Sequence, residues 1–274
     1  MKSQKEKKEH TVDAVVEYGG SAASSVMGAI VGSTVAGPVG VIGGALAGTL
    51  IENIAKKIGK EIKERVLSEA EERKINTVFG AACNSISDKL NSGHELRNDD
   101  FFDEVDMDRS TAEEIFEGIL FAAQRESEEK KIKYFAKLYA NIAFDSAISR
   151  PIANQLIKIA EQLTYRQIVI LHVIGTHQMV PEAYAFKNTM YKSVSGLVNV
   201  TIASEVFELY RMSLLSSKDA ILDCAGINPS ALTITGYGAL LFNLMELSKI
   251  ETDDNLIRML AEIVSYLTGF EIKE

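Results

Sequence analysis

The chain has no tryptophan, four prolines and only two cysteines among its 274 residues. Cys83 and Cys224 stand far apart and form neither a CxxC pair nor a spacing typical of metal ligands. Because cysteine is often a small buried residue, we expect two free thiols rather than a disulfide. A chain of this length can bury a sizeable hydrophobic core, so it needs no disulfide or metal for stability.

Positive charge is also in deficit, because 29 Lys and Arg stand against 38 Asp and Glu, a formal net charge of −9. Proteins that coat nucleic acid need a basic surface to neutralise phosphates, so this balance argues against nucleic acid as a partner. Residues 1–17 form a charged N-terminal segment with both signs. No short apolar run with a small-residue cleavage site follows a basic stretch, so no cleaved signal peptide is predicted.

Catalytic motifs are likewise missing from the sequence. His172 and His177 stand five positions apart, which is a poor match to a helical pair of metal ligands. No GxSxG elbow, P-loop or GxGxxG sequence occurs, and neither cysteine lies in a catalytic signature. The acidic cluster from Asp99 to Asp108 lacks the glycine and the ligand spacing of an EF-hand loop. We therefore predict that the protein is not an enzyme, and we expect no cofactor and no metal.

What the sequence does contain is a long run without charge, residues 18–51, between two densely charged flanks. About 20 apolar residues suffice for a helix to span the hydrocarbon core of a bilayer. Because residues four apart share a helix face, a row of small residues forms a smooth groove on which another helix backbone can pack. Small residues recur at every fourth position of this run: Gly28, Gly32, Ala36, Gly40, Gly44 and Gly48.

In water, each glycine in a helix interior costs about 0.8 to 1 kcal/mol relative to alanine, so several would destabilise an isolated helix. Such a helix is tolerable in lipid, where every backbone group must form its hydrogen bond internally, or where a partner helix packs on the groove. The run resembles the glycine-zipper segments of membrane-inserting and pore-forming bacterial proteins. The resemblance covers residues 18–51 only, and it implies helix packing in a membrane, in a bacterial toxin or phage-defence context. Burial inside a soluble or oligomeric helical core is the main alternative.

The dipeptide Gly37-Pro38 interrupts the run near its middle. Proline removes a helix hydrogen bond and Gly-Pro commonly marks a turn, so one kinked helix and a hairpin of two helices both fit. Lysines lie on both flanks of the run, which favours a hairpin with both ends in the cytoplasm.

The remaining sequence predicts a mainly α-helical protein. Residues 52–90 predict one amphipathic helix, and the polar, acidic residues 91–109 are the best candidate for a linker. Residues 110–274 predict a soluble helical domain, in which the charged residues 126–131 indicate a break between two helices. The apolar stripe of the first helix is formed by Ile54, Ile58, Ile62, Val66 and Ala70. Two capping boxes are predicted at helix starts, one at Ser110 and Glu113 and the other at Thr164 and Gln167.

Residues 164–250 resemble a winged-helix module in the order of their predicted elements. Helices are followed by a β-like run at 231–235 and a glycine-started helix at 239–247. DNA readout needs Arg, Lys, Asn or Gln side chains at base edges, yet the presumed recognition helix at 204–211 has only Arg211 as a cation. Protein contact or dimerisation is therefore favoured for this region.

Together, these features predict a membrane-associated effector whose zipper inserts into or oligomerises at a bilayer, with a C-terminal sensing or protein-interaction domain. The expected location is the cytoplasmic face of the inner membrane, or the cytoplasm with conditional insertion. The expected partners are membrane lipid, further copies of the chain and a protein bound by the C-terminal domain. The alternatives are a soluble oligomeric scaffold and a winged-helix regulator with a hydrophobic anchor.

Overall fold

A computed structural model of the chain describes residues 53–54, 57–58, 67–106, 109–191 and 193–269. These described residues form eight α-helices and two small antiparallel sheets, so the predicted mainly α fold class is confirmed. The charged segment 1–17 and the predicted zipper hairpin, 18–51, lie outside the described residues. The chain divides into two compact units, Met1–Glu161 (unit 1) and Gln162–Glu274 (unit 2).

Unit 1 is built from helices that pack around an aromatic core. Helix α1 (Glu69–Asn91) packs against both α2 (Thr111–Arg125) and α3 (Ile132–Ile142). The ring of Phe116 stacks on that of Tyr139 at 4.3 Å between centroids, and Phe79 lies 5.4 Å from Phe116. The helices and strands of this unit are α1 (Glu69–Asn91), β1 (Glu104–Asp106), β2 (Arg109–Ser110), α2 (Thr111–Arg125), α3 (Ile132–Ile142) and α4 (Arg150–Gln162).

Helix α2 begins and ends where the sequence predicts. Ser110 Oγ accepts a hydrogen bond from the Glu113 backbone N–H at 3.2 Å, and Glu113 Oε2 accepts one from the Ser110 N–H at 3.3 Å. This reciprocal pair satisfies two N–H groups that a helix start otherwise leaves without partners. After Arg125 a short 3₁₀ turn, Glu129–Lys131, leads into α3. The predicted capping box and the predicted break between two helices are both confirmed.

The predicted continuous helix over residues 52–90 is wrong, because a new helix begins at Glu69. Ser68 has extended backbone dihedrals (φ −73°, ψ 157°) and caps α1 through a capping box with Glu71. Ile54 and Ile58 are buried, as the apolar stripe predicts, but Ala70 is exposed. The spacing of apolar residues runs across the cap, whereas the hydrogen bonds of the cap decide where the helix starts.

Two side chains of the acidic stretch 91–109, Arg97 and Phe101, are buried in unit 1. The guanidinium of Arg97 is buried, where its Nε donates to Asp99 Oδ1 at 2.7 Å and its Nη1 donates to the Ile148 carbonyl at 2.8 Å. The hydrogen bond from Arg97 holds the pKa of Asp99 below its usual value. Phe101 is buried with its ring centroid 4.3 Å from the guanidinium. The boundary between the units lies at residues 161 and 162, not in the predicted linker.

Unit 2 contains four helices and one antiparallel strand pair among its described residues. Thr164 and Gln167 form the predicted capping box at the start of its first helix. The predicted β-like run is confirmed as a strand, while the glycine-started helix begins at Gly236, earlier than predicted. The elements are α5 (Tyr165–Met179), α6 (Leu197–Arg211), β3 (Leu215–Ser217), β4 (Leu232–Ile234), α7 (Gly236–Leu244) and α8 (Asp254–Thr268).

Candidate functional site

The residues predicted to carry the helix packing lie outside the described residues. They are Gly28, Gly32, Ala36, Gly40, Gly44 and Gly48. The described residues that follow the uncharged run most closely are Asn53, Ile54, Lys57 and Ile58. We call Ile54, Lys57 and Ile58, together with Glu104 and Glu113, the zipper seat, because these residues fix the chain directly after the predicted zipper.

The apolar part of the zipper seat is formed by two isoleucines four positions apart. Both are helical in the structure, and residues at this spacing lie on one helix face. Ile54 is 4% exposed and Ile58 is 1% exposed. Burying an aliphatic side chain of this size is worth about 1.5 to 3 kcal/mol before the entropy of ordering is subtracted. This flank of the uncharged run is therefore fixed within unit 1.

The polar part of the zipper seat is an ion pair that ties this flank to α2 and β1. Lys57 Nζ lies 2.9 Å from Glu113 Oε2 and 3.3 Å from Glu104 Oε1. The Glu113 side chain is only 7% exposed, whereas that of Glu104 is 62% exposed. The hydrogen bond with Glu113 is the main cause that raises the pKa of Lys57. Glu113 therefore contributes more than Glu104 to holding Lys57, since a shielded carboxylate interacts more strongly than a solvated one.

Two buried side chains with titratable groups, Cys83 and Tyr139, lie near Glu113 in the interior of unit 1. The Tyr139 hydroxyl is buried with no hydrogen-bond partner among the described residues, and this burial is the main cause that raises the pKa of Tyr139. Burial raises the pKa of the Cys83 thiol to about 12. Such a thiol stays protonated near neutral pH and is a poor nucleophile. Both cysteines are free, as predicted, although Cys224 is only partly buried.

The surface beside the zipper seat is acidic. The 3₁₀ turn Asp100–Phe102 packs on α2, and Glu104 follows it in β1. The side chains of Asp100, Asp103 and Glu104 are exposed. Lys57 therefore contacts its two carboxylate partners beside exposed acidic side chains.

The two histidines considered as metal ligands take part in packing instead. His172 Nδ1 lies 2.7 Å from the Leu247 carbonyl oxygen, and burial lowers the pKa of this imidazole. The ring of His177 stacks on Phe186 at 3.9 Å between centroids. Across the described ranges, no group of three or more His, Cys, Asp or Glu side chains is placed to hold a metal ion.

Helix α6 contains the presumed recognition residues 204–211, and its acidic side chains are engaged within unit 2. Arg166 Nε donates to Glu205 Oε2 at 2.7 Å, and Gln167 Nε2 donates to Glu208 Oε2 at 2.8 Å. The first turn of α6 is apolar and exposed, and the structure gives it no side-chain cap. Arg211 is the one Lys or Arg of this helix, whereas phosphate contacts usually involve several cations.

The first turn of α6 and the loop between β3 and β4 carry the most exposed large apolar side chains of unit 2. Leu197 is 81% exposed, and Val198 and Val200 lie beside it in the sequence. Leu222, in the loop between β3 and β4, is 88% exposed. No pattern in the sequence marks these side chains as exposed. The apolar residues at the start of α6 continue into the buried positions Ile202, Ala203 and Val206.

Within the ranges that the structure describes, none of the helices combines the length and the apolar character that a membrane crossing requires. Comparisons with known proteins found no match for this chain, whether by family model, by curated sequence or by solved structure. The chain's own residues are therefore the basis for inferring its function.

Proposed function

We propose that the protein is a membrane-associated effector. Its glycine-zipper segment, residues 18–51, inserts into or oligomerises at a bilayer, and its helical units position that segment and bind a protein partner. The proposed location is the cytoplasmic face of the inner membrane, reached permanently or by conditional insertion. The observation that carries the proposal is the zipper seat, because it fixes the chain directly after the predicted membrane-active segment.

The short distance along the chain between the zipper and the seat supports this coupling. The uncharged run ends at Ile51, and Ile54 is buried only three positions later. A fully extended residue spans at most about 3.6 Å, so three residues span at most about 11 Å. We propose that this short spacing along the chain couples the zipper to the zipper seat.

The exposed apolar side chains of unit 2 support the protein-binding part of the proposal. Leu197 and Leu222 are large, apolar and almost fully exposed. Exposed apolar surface is a common mark of protein contact, and the 3₁₀ turn Cys224–Gly226, just after Leu222, packs on α6. The presumed recognition helix has one cation, Arg211, which disfavours the alternative of a winged-helix regulator that binds DNA.

The proposal is tested by vesicle flotation and membrane fractionation of the full chain. Leucine at two ladder positions, G32L/G44L, fills the groove that close helix packing requires. We expect the wild-type chain to float with vesicles or fractionate with membranes, and the double variant to lose most of this binding.

The matched control is A29L/A45L, which adds leucines to the same segment at positions outside the ladder. We expect this control to bind like the wild type. Recovery of the wild-type chain only as a soluble monomer, in both assays, would refute the membrane proposal.

The second candidate function is a soluble scaffold that assembles through the zipper. The large exposed leucines of unit 2 favour it, because exposed apolar side chains are also expected in a subunit of an oligomer. A scaffold of this kind forms discrete oligomers in the absence of detergent and lipid, and it does not float with vesicles. Sedimentation of the full chain without detergent separates the two candidates.

A further inference from the structure

We propose that the ion pairs from Lys57 to Glu113 and Glu104 form a latch that restrains delivery of the glycine zipper to an anionic bilayer. This inference rests on the proposed membrane function and adds its regulation. The latch is closed in this structure, and its opening frees the basic flank of the zipper for anionic headgroups.

The first step of the argument is the position of the latch along the chain. The uncharged run ends three positions before Ile54, and Lys57 follows three positions after it. If Ile54 and Ile58 remain buried, the end of an inserted zipper lies next to the zipper seat. The surface around the seat is then brought to the headgroups together with the zipper.

The second step is the charge of that surface. The exposed carboxylates of Asp100, Asp103 and Glu104 lie beside the seat. In physiological salt, charges interact over about 8 Å before they are screened. Carboxylates that are carried to the headgroups come within this distance of an anionic leaflet and are repelled by its negative potential. Insertion with the latch closed is therefore opposed by repulsion.

The third step is that the same lysine has two possible anionic partners. In the closed latch, Lys57 Nζ pairs with Glu113 Oε2 at 2.9 Å. Its side chain is about one-third exposed, so headgroup phosphates can reach it. The flank continues with further lysines, Lys56, Lys60 and Lys63. Clustered lysines bind anionic headgroups, so the latch is a competition between carboxylates of unit 1 and lipid for one basic segment.

The fourth step is that Glu113 keeps the latch closed in the absence of lipid. Its side chain is 7% exposed and also accepts the Ser110 N–H of the capping box. Without Lys57, this shielded carboxylate loses its only cation among the contacts of the zipper seat. Leaving a shielded charge without its partner is unfavourable, so unit 1 by itself favours the closed latch.

The test uses the full chain with the substitution Glu113→Gln. Glutamine at this position keeps the capping box and leaves every lysine in place, but it removes the charge that holds Lys57. The matched control is Glu114→Gln, the neighbouring residue of α2, whose carboxylate binds Arg150 and Asn154 instead. Both variants change the net charge equally, so general repulsion from lipid is the same in each.

Two readouts are measured for each protein. The first is hydrogen exchange of a peptide that covers residues 53–58, without lipid. The second is flotation with vesicles of phosphatidylglycerol and phosphatidylcholine, at increasing lipid concentration. We expect E113Q to exchange several-fold faster over residues 53–58 and to bind vesicles at several-fold lower lipid concentration, while E114Q matches the wild type. The exposed variant E104Q changes both readouts in the same direction by a smaller factor.

The outcomes separate the latch from the membrane function. Binding of wild type, E113Q and E114Q at the same lipid concentration overturns the latch and leaves the membrane function standing. Rapid exchange of residues 53–58 in the wild type also overturns the latch. If no protein binds vesicles, even when E113Q exchanges faster, the membrane function fails and the latch proposal fails with it.

Discussion

Glu113 takes part in two structures at once, the capping box of α2 and the ion pair with Lys57. Its backbone and side chain exchange hydrogen bonds with Ser110, and the same carboxylate lies 2.9 Å from Lys57 Nζ. The sequence motif reveals the first role because its residues are three positions apart. The second role joins residues 56 positions apart and depends on tertiary packing, so no local pattern could predict it.

Gly238 is a residue whose replacement by alanine we expect to be costly. A Cβ at this position would clash with the Leu214 carbonyl oxygen, which is backbone and cannot rotate away. Overpacking of this kind costs about 1 to 3 kcal/mol or more. Urea unfolding of G238A should show a loss of stability in this range.

Gly226 offers the control for this prediction. A Cβ there meets Asp223 Oδ1 at 3.7 Å, an ordinary contact distance. Surface changes without a clash usually stay within about 0.5 kcal/mol, so G226A should unfold like the wild type. Equal stability of G238A and the wild type would show that Gly238 does not lie against the Leu214 carbonyl as described.

Helix boundaries are the feature of single elements that the sequence predicted best, and local polar residues explain why. Ser110 and Thr164 cap α2 and α5 as predicted, because a capping box involves only four consecutive positions. The box at Ser68 was missed because Ile62, Val66 and Ala70 continue an apolar spacing across it. Apolar spacing indicates a helix face, but it contains no information about backbone hydrogen bonds at the end of a helix.

The turn between α2 and α3 shows what the sequence could not reveal about charged residues. Residues 126–131 are highly charged, which correctly predicted a break between helices. Glu126 and Lys131 are nevertheless buried, because they form an ion pair and Lys131 Nζ also donates to the Glu161 carbonyl at 3.1 Å. Buried charges are tolerated only when they are paired, and the partner carbonyl belongs to α4, far along the chain.

The cap of α1 leads to a prediction about acid stability. The Ser68 side-chain hydrogen bond is the main cause that lowers the pKa of Glu71 to about 2, from an ordinary 4.5, with Gln124 the second cause. Because the folded pKa is the lower one, this stabilisation is present above about pH 4.5 and is lost as the pH falls toward 2. S68A should therefore raise the pKa of Glu71 toward its ordinary value.

An NMR titration of the Glu71 side chain in S68A and in the wild type measures this shift. We also expect S68A to lose about 1 kcal/mol of stability at neutral pH, the usual effect of removing an N-cap. At pH 2 the difference in stability should shrink. S92A is a suitable control, because Ser92 lies at the other end of α1. An unchanged pKa of Glu71 in S68A would contradict the capping geometry.

At the scale of the whole molecule, the two units differ in what they leave exposed. Unit 1 exposes acidic side chains beside the zipper seat, while unit 2 exposes the aliphatic side chains of Leu197 and Leu222. Overall composition predicted neither surface, since a net charge of −9 does not reveal where carboxylates cluster. The predicted zipper residues lie outside the described residues, so the helical packing of residues 18–51 stays a prediction.

The exposed leucines of unit 2 lead to the last prediction, which concerns association of the full chain. Leu197 and Leu222 are the two most exposed large apolar side chains among the described residues, and exposed apolar surface is a common mark of protein contact. Replacing both with serine, L197S/L222S, should reduce self-association or capture of a protein partner without lowering the melting temperature. Exposed side chains contribute little to folding, so their loss changes stability by less than about 0.5 kcal/mol each.

Analytical ultracentrifugation at several protein concentrations, paired with thermal unfolding, measures both properties. Leu209 lies on α6 as well but is fully buried, so L209S is the contrasting variant. It should lower the melting temperature strongly, because truncating a buried leucine costs about 2 to 5 kcal/mol. If L197S/L222S sediments like the wild type and binds the same proteins, these leucines are not an interface, and the protein binding proposed for unit 2 would have to use another surface. The zipper seat would be unaffected by that result, since it belongs to unit 1.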